Sequence, residues 1–184
     1  MAEMCPEETV GELLAQAHGD ERGALASVER LVEAYPGDAR LHFLHGSLLA
    51  AAGAYRSARD AIARAVAAAP DFAIARFQLG FLAFTSGDAA EASAVWQPLL
   101  AEAEDHPLRL FVEGLEKLAA DAFEESAALL RRGIEANRDN PALNDDMRRL
   151  IEAMPQSGAE PAGADEPLSL TQLALQQSAR KRLH

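Results

Sequence analysis

Cysteine is nearly missing from this chain. Cys5 stands alone, so no internal disulfide can form. It lies in Met-Ala-Glu-Met-Cys-Pro-Glu-Glu, a stretch expected to fray, where an incidental thiol fits better than a reactive one. The same opening has neither a basic n-region nor an apolar h-region, so it does not read as a signal peptide. No apolar run approaches the roughly 20 residues needed to span a bilayer. No membrane insertion is expected, and a cytoplasmic location is. Positive charge is scarce too, with 17 Lys and Arg against 29 Asp and Glu, a net charge of −12 and an isoelectric point near 4.8. An acidic surface repels phosphate backbones and anionic headgroups, so no nucleic acid is expected as a partner. Solubility alone accounts for such a charge.

Catalytic signatures are absent as well. There is no Gly-x-Ser-x-Gly elbow, no Walker loop and no dinucleotide fingerprint, so no catalytic residue and no cofactor site is assigned. His42 and His45 are three apart on one helical face, but a metal needs three or four supported ligands, and no second pair matches their spacing. No metal is expected. Glu124, Glu125, Asp145 and Asp146 have arginines nearby and read as solvated ion pairs. The chain is not expected to be an enzyme.

What the chain does have is a beat. Phe43-Leu-His-Gly46, Phe77-Gln-Leu-Gly80 and Phe111-Val-Glu-Gly114 recur at one fixed spacing. Ala24, Ala58, Ala92 and Ser126 form a second column of small residues at that same period. Val28, Ile62, Trp96 and Leu130 form an apolar column four residues later, and Tyr55, Ala89 and Phe123 another. Gly19-Asp20, Gly53-Ala54 and Gly87-Asp88 precede the second half of each unit, where a glycine ends the first helix in a tight turn. A period of about 34 is that of a helix-turn-helix unit. The fold class expected is all-α, a solenoid of helix pairs.

These columns resemble the tetratricopeptide repeat family. In its register the small residue of the first helix is Gly46, Gly80 and Gly114, and that of the second is Ala24, Ala58, Ala92 and Ser126. The closing proline is Pro36 and Pro70, with Pro107 and Pro141 three residues later. The tryptophan-type position departs, being His42, Arg76 and Leu110, and the leucine-type position is His45, Leu79 and Glu113. The first repeat has Glu12 where the small residue should be. The resemblance implies four repeats, over residues 5–38, 39–72, 73–106 and 107–140. It also implies that first helices line a concave groove through Phe43 and Ser47, through Ile74, Phe77, Phe81 and Phe84, and through Leu108, Phe111, Leu115 and Leu118. Phe43, Ser47, Phe77 and Phe81 stand where some relatives carry a carboxylate clamp, so recognition of a terminal carboxylate is not implied. Two readings stand for this face: rings that merely fill the space between helices, or a groove for an apolar or amphipathic segment of a partner protein.

Residues 141–154 read as a capping helix that completes a domain over 5–154. Asn140 is placed to cap it, Pro141 suits its first position, and Leu143, Met147, Leu150, Ile151 and Met154 make its apolar stripe. Residues 155–167 read as a flexible linker. Residues 168–184 read as a short amphipathic tail helix, with Ser169 and Gln172 as a capping box and Arg180, Lys181 and Arg182 at its end. The tail is neutral, while the body carries 26 acidic and 14 basic residues. A self-interaction through residues 168–183 follows as an expectation. The function expected is that of a non-catalytic interaction module or adaptor. The alternatives are a secretion-type chaperone for an apolar client, and a self-associating structural scaffold.

Overall fold

The computed structural model describes residues 3–155, and every regular element among them is helical. The elements are α1 (Glu7–Gly19), α2 (Glu21–Ala34), α3 (Ala39–Ala51), α4 (Tyr55–Ala68), α5 (Ala73–Thr85), α6 (Ala89–Trp96), α7 (Pro107–Ala119), α8 (Phe123–Ala136) and α9 (Pro141–Ala153), with a 3-10 helix at Gln97–Ala101. Helices α3, α5 and α7 start one repeat period apart, at Ala39, Ala73 and Pro107. Their partners α4, α6 and α8 keep the same interval, starting at Tyr55, Ala89 and Phe123. The fold is all-α, built of repeated helix pairs. The tail helix expected over 168–184, and the linker beyond Pro155, lie outside the described residues.

The turn inside each pair repeats in its backbone. Gly53 and Gly87 hold φ at 81° and 88°, and Asp121, one period further on, holds 56°. Around them Ala54 N–H donates to Leu49 C=O at 2.8 Å, Asp88 to Ala83 at 3.0 Å and Ala122 to Lys117 at 3.0 Å. This is the bond that closes a Schellman turn, and it needs a left-handed residue just past the helix. The first pair differs: Gly19 stays inside α1, and Asp20 caps α2 by accepting from Gly23 N–H at 2.9 Å. Aspartates start two more helices. Asp38 accepts from Arg40 N–H at 3.0 Å and Asp88 from Glu91 N–H at 2.9 Å. Helix α6 is short because Pro98, two residues past its end, has no N–H to extend the ladder, and the chain tightens into 3-10 turns.

Two compact units divide the chain, Met1–Leu82 and Ala83–His184. In the first, Cys5, Val10, Leu13, Val28 and Leu41 form one buried cluster, and Ala58, Ile62, Ala65, Ala75 and Leu82 a second. The recurring small residues set the helix crossings. A Cβ on Gly46 would lie 2.9 Å from the Ala58 carbonyl oxygen and would collide with Ile62. In the second unit a Cβ on Gly114 would lie 2.7 Å from Leu130, and Ser126 Oγ donates to Gly114 C=O at 2.7 Å. Ala24, Ala58, Ala92 and Ser126 are all fully buried. Gly80 is buried as well.

Helix α9 packs on α8 through Leu143, Met147 and Leu150. Asn140 caps it from its side chain, accepting from Leu143 N–H at 3.1 Å, as its place before Pro141 leads one to expect. Two buried amides then fix its register. Asn137 Nδ2 donates to Asn144 Oδ1 at 2.8 Å, and Asn144 Nδ2 returns to Asn137 C=O at 2.9 Å.

The N-terminal stretch is held rather than frayed. Cys5 is only 3% exposed, and its N–H donates to Asp38 Oδ2 at 3.0 Å. Arg40 closes the clasp. Its Nη2 reaches Cys5 C=O and Asp38 Oδ2, both at 2.7 Å, and its Nη1 reaches Glu7 at 2.6 Å. A partner far away in sequence supplies what local propensity does not.

Candidate functional site

The ten first-helix residues sit at different depths. In the first unit Phe77 is buried at 0% exposure, while Phe43, Ser47, Ile74 and Phe81 are half-buried. Phe77 and Phe81 stack with centroids 6.0 Å apart, one turn along α5. Phe43 tilts against Phe72 at 5.2 Å, and Ser47 turns its hydroxyl back to Phe43 C=O at 2.9 Å. Ile74, Gln78 and Phe81 fall at i, i+4 and i+7, so α5 carries a half-buried stripe on one face.

In the second unit the same register leads inward. Phe84, Leu108, Phe111, Leu115 and Leu118 are all buried. Phe84 tilts against Trp96 at 5.9 Å. The Phe111 ring lies where a Cβ on Gly133 of α8 would be, 2.5 Å from that position. The exposed side of α7 is polar: Arg109 pairs with Glu113 at 2.8 Å, and Ser93 Oγ of α6 donates to Glu116 at 2.7 Å.

Electrostatics concentrate at the start of α3. Burial alone pushes the Asp38 carboxyl up, but hydrogen bonds from Arg40 and Cys5, with the Arg40 charge, outweigh it and hold the group below the ordinary carboxylate value. Burial pushes the Cys5 thiol up, Asp38 adds to this and Arg40 opposes it. The thiol is therefore a poor nucleophile. At the end of the chain's described part, burial raises the Asp146 carboxyl, with Asp145 adding to it and Arg149 opposing.

Two side chains one repeat period apart, His42 and Arg76, carry a shared role that composition alone conceals. His42 Nε2 bonds Pro36 C=O at 2.8 Å, and Arg76 Nη2 donates to Pro70 C=O at 2.7 Å. In both, a polar tip ties the carbonyl six residues back and fastens the link between pairs. The pairing of a donor with a proline at a fixed offset, repeated at the period, is the sequence signal for it. Metal ligands do not converge: among the described residues no group of three or more His, Cys, Asp or Glu is placed to hold an ion. No described helix is long and apolar enough to cross a membrane.

No protein-family model matches the chain, and no curated protein matches it. What defines the class is the fold itself: an all-α repeat of helix pairs.

Proposed function

We propose that the chain is a tetratricopeptide-type repeat protein that acts without catalysis, holding an apolar or amphipathic segment of a partner protein on the first-helix face of its first unit. The observation that carries this reading is the half-buried set Phe43, Ser47, Ile74 and Phe81 on α3 and α5. Ile74 and Phe81, two turns apart on one helical face with Phe43 on α3, offer apolar side chains to a partner that docks its own apolar stripe, a common mode of peptide recognition. The common period of the helix starts supports the family reading.

Peptides selected from a displayed library of amphipathic sequences against the full chain test the proposal. The selected peptides should bind the wild-type chain and lose at least about tenfold in affinity to Ile74→Glu, by calorimetry. The melting temperature of that variant should stay near wild type. Equal binding to wild type and variant, or no enrichment in the selection, would overturn the reading.

A further inference from the structure

Helices α1 and α9 each turn one side to water, and the two sides differ. On α9 it is polar, with Asp145, Arg148, Arg149 and Glu152 exposed. On α1, Val10 and Leu13 are buried, and the opposite side carries Glu8, Gly11, Glu12 and Ala15, all exposed. Leu14 stands on the flank of that side at 46% exposure, and Met4, just before the helix, is 52% exposed. A Cβ on Gly11, one turn before Leu14, would meet nothing within 4 Å, so the helix backbone is open to close approach. Polar outer faces keep a helical repeat soluble, and α1 lacks a complete one.

Charge gathers on the same helix pair. Residues 1–36 hold 8 acidic and 2 basic side chains, while residues 37–82 hold 3 and 5. Arg40 answers Glu7. Glu8 and Glu12 have no ion-pair partner among the described residues. The face therefore suits a segment that is apolar and cationic together. The chain has such a segment. Residues 168–184 hold Leu168, Leu170, Leu173 and Leu175, then Arg180, Lys181 and Arg182, and no acid. Near Phe43, Ile74 and Phe81 the basic balance of residues 37–82 gives those cations no comparable attraction.

We propose that residues 168–183 of a second copy dock on this side of α1, their leucines against Leu14 and their cations beside Glu8 and Glu12. Each copy lends its tail to the other, which closes a twofold pair and leaves no free site for a third chain. Helices α1 and α9 belong to different units, and a neighbour's tail reaches α1 whatever the placing of those units in one chain. The residues from 156 to 167 extend at most about 40 Å, enough to cross between adjoining copies. Phe43, Ile74 and Phe81 take no part, so this docking stands apart from the face proposed for a partner protein.

Sedimentation of the full chain at rising concentration tests the proposal. The wild type should pass from 19.7 kDa toward twice that mass. In Glu8→Lys, Glu12→Lys the dissociation constant of the pair should rise about tenfold or more. That variant is less negative overall than the wild type, so relief of general repulsion alone would tighten the pair instead. In Arg180→Glu, Arg182→Glu the constant should rise by a similar factor. The two sets combined restore the net charge of −12, and their pairing should return to within about threefold of wild type. A wild-type chain that stays monomeric, including one whose tail docks on its own α1, would overturn the proposal. So would a Glu8→Lys, Glu12→Lys variant that pairs as tightly as wild type, or a combined variant that pairs no better than either set alone.

Discussion

Asp121 holds a left-handed conformation that Gly53 and Gly87 adopt at the equivalent places. A side chain there is strained, although aspartate bears it better than most residues. Asp121→Gly should therefore raise stability by about 0.5–1 kcal/mol, read as a higher urea midpoint at unchanged slope. A lower midpoint would mean that the Asp121 side chain supports the turn in a way its backbone angle does not reveal. Asp38 is the opposite case, a residue whose polarity is needed. It is fully buried, and Asp38→Asn would leave Arg40, Cys5 and the α3 start with a weaker acceptor. The loss should be on the order of 2–3 kcal/mol by urea denaturation, less than for a wholly buried pair because Arg40 keeps contact with water. The folded carboxyl lies below its unfolded value, so this contribution is complete above about pH 5 and fades below it. The gap between wild type and Asp38→Asn should narrow as acid is added.

Between elements, small residues decide how near the helices come. Gly46→Ala would push a methyl into Ile62 and the Ala58 carbonyl, a backbone group that cannot swing aside. Overpacking of this kind costs about 1–3 kcal/mol, and a thermal melt of the variant checks it. The helix pairs themselves were legible in the sequence because Gly46, Ala58 and their counterparts repeat at a constant interval, and a period is visible without coordinates. Depth was not legible in this way. Phe77 and Phe81 are one turn apart on the same face, yet one is buried and the other half-buried. Phase along a helix is a local property, whereas depth depends on what distant segments lay over it. The clasp of Cys5, Asp38 and Arg40 was hidden for the same reason. Its partners stand 33 to 35 residues apart and carry no motif. Asn137 and Asn144 show a middle case: both are visible as polar residues near a helix start, but their mutual bonds depend on how α9 folds back on α8.

At the scale of the molecule, charge is unevenly shared. Residues 1–82 hold 11 acidic and 7 basic side chains, and residues 83–155 hold 15 and 7. Ion pairs such as Arg148 with Asp145 and Lys117 with Glu125 are surface-exposed and contribute little. Self-repulsion should therefore outweigh them, and salt should stabilise the chain. Raising ionic strength from roughly 20 mM to 200 mM shortens the screening length enough to dampen repulsion between neighbouring carboxylates. Calorimetry should show a higher melting temperature at the higher salt. A lower one would mean that specific pairs, not net charge, govern the balance.

Trp96 has a consequence of a different kind. It is the only tryptophan, it is 1% exposed, and it lies beside Phe84 in the second unit. An indole shut away from water emits at short wavelength and is shielded from dissolved quenchers such as iodide. The second unit thus carries its own optical signal, while both tyrosines, Tyr35 and Tyr55, lie in the first. Excitation at the red edge of the absorption band selects the indole alone, so loss of structure around Trp96 in the second unit can be followed without attaching any dye.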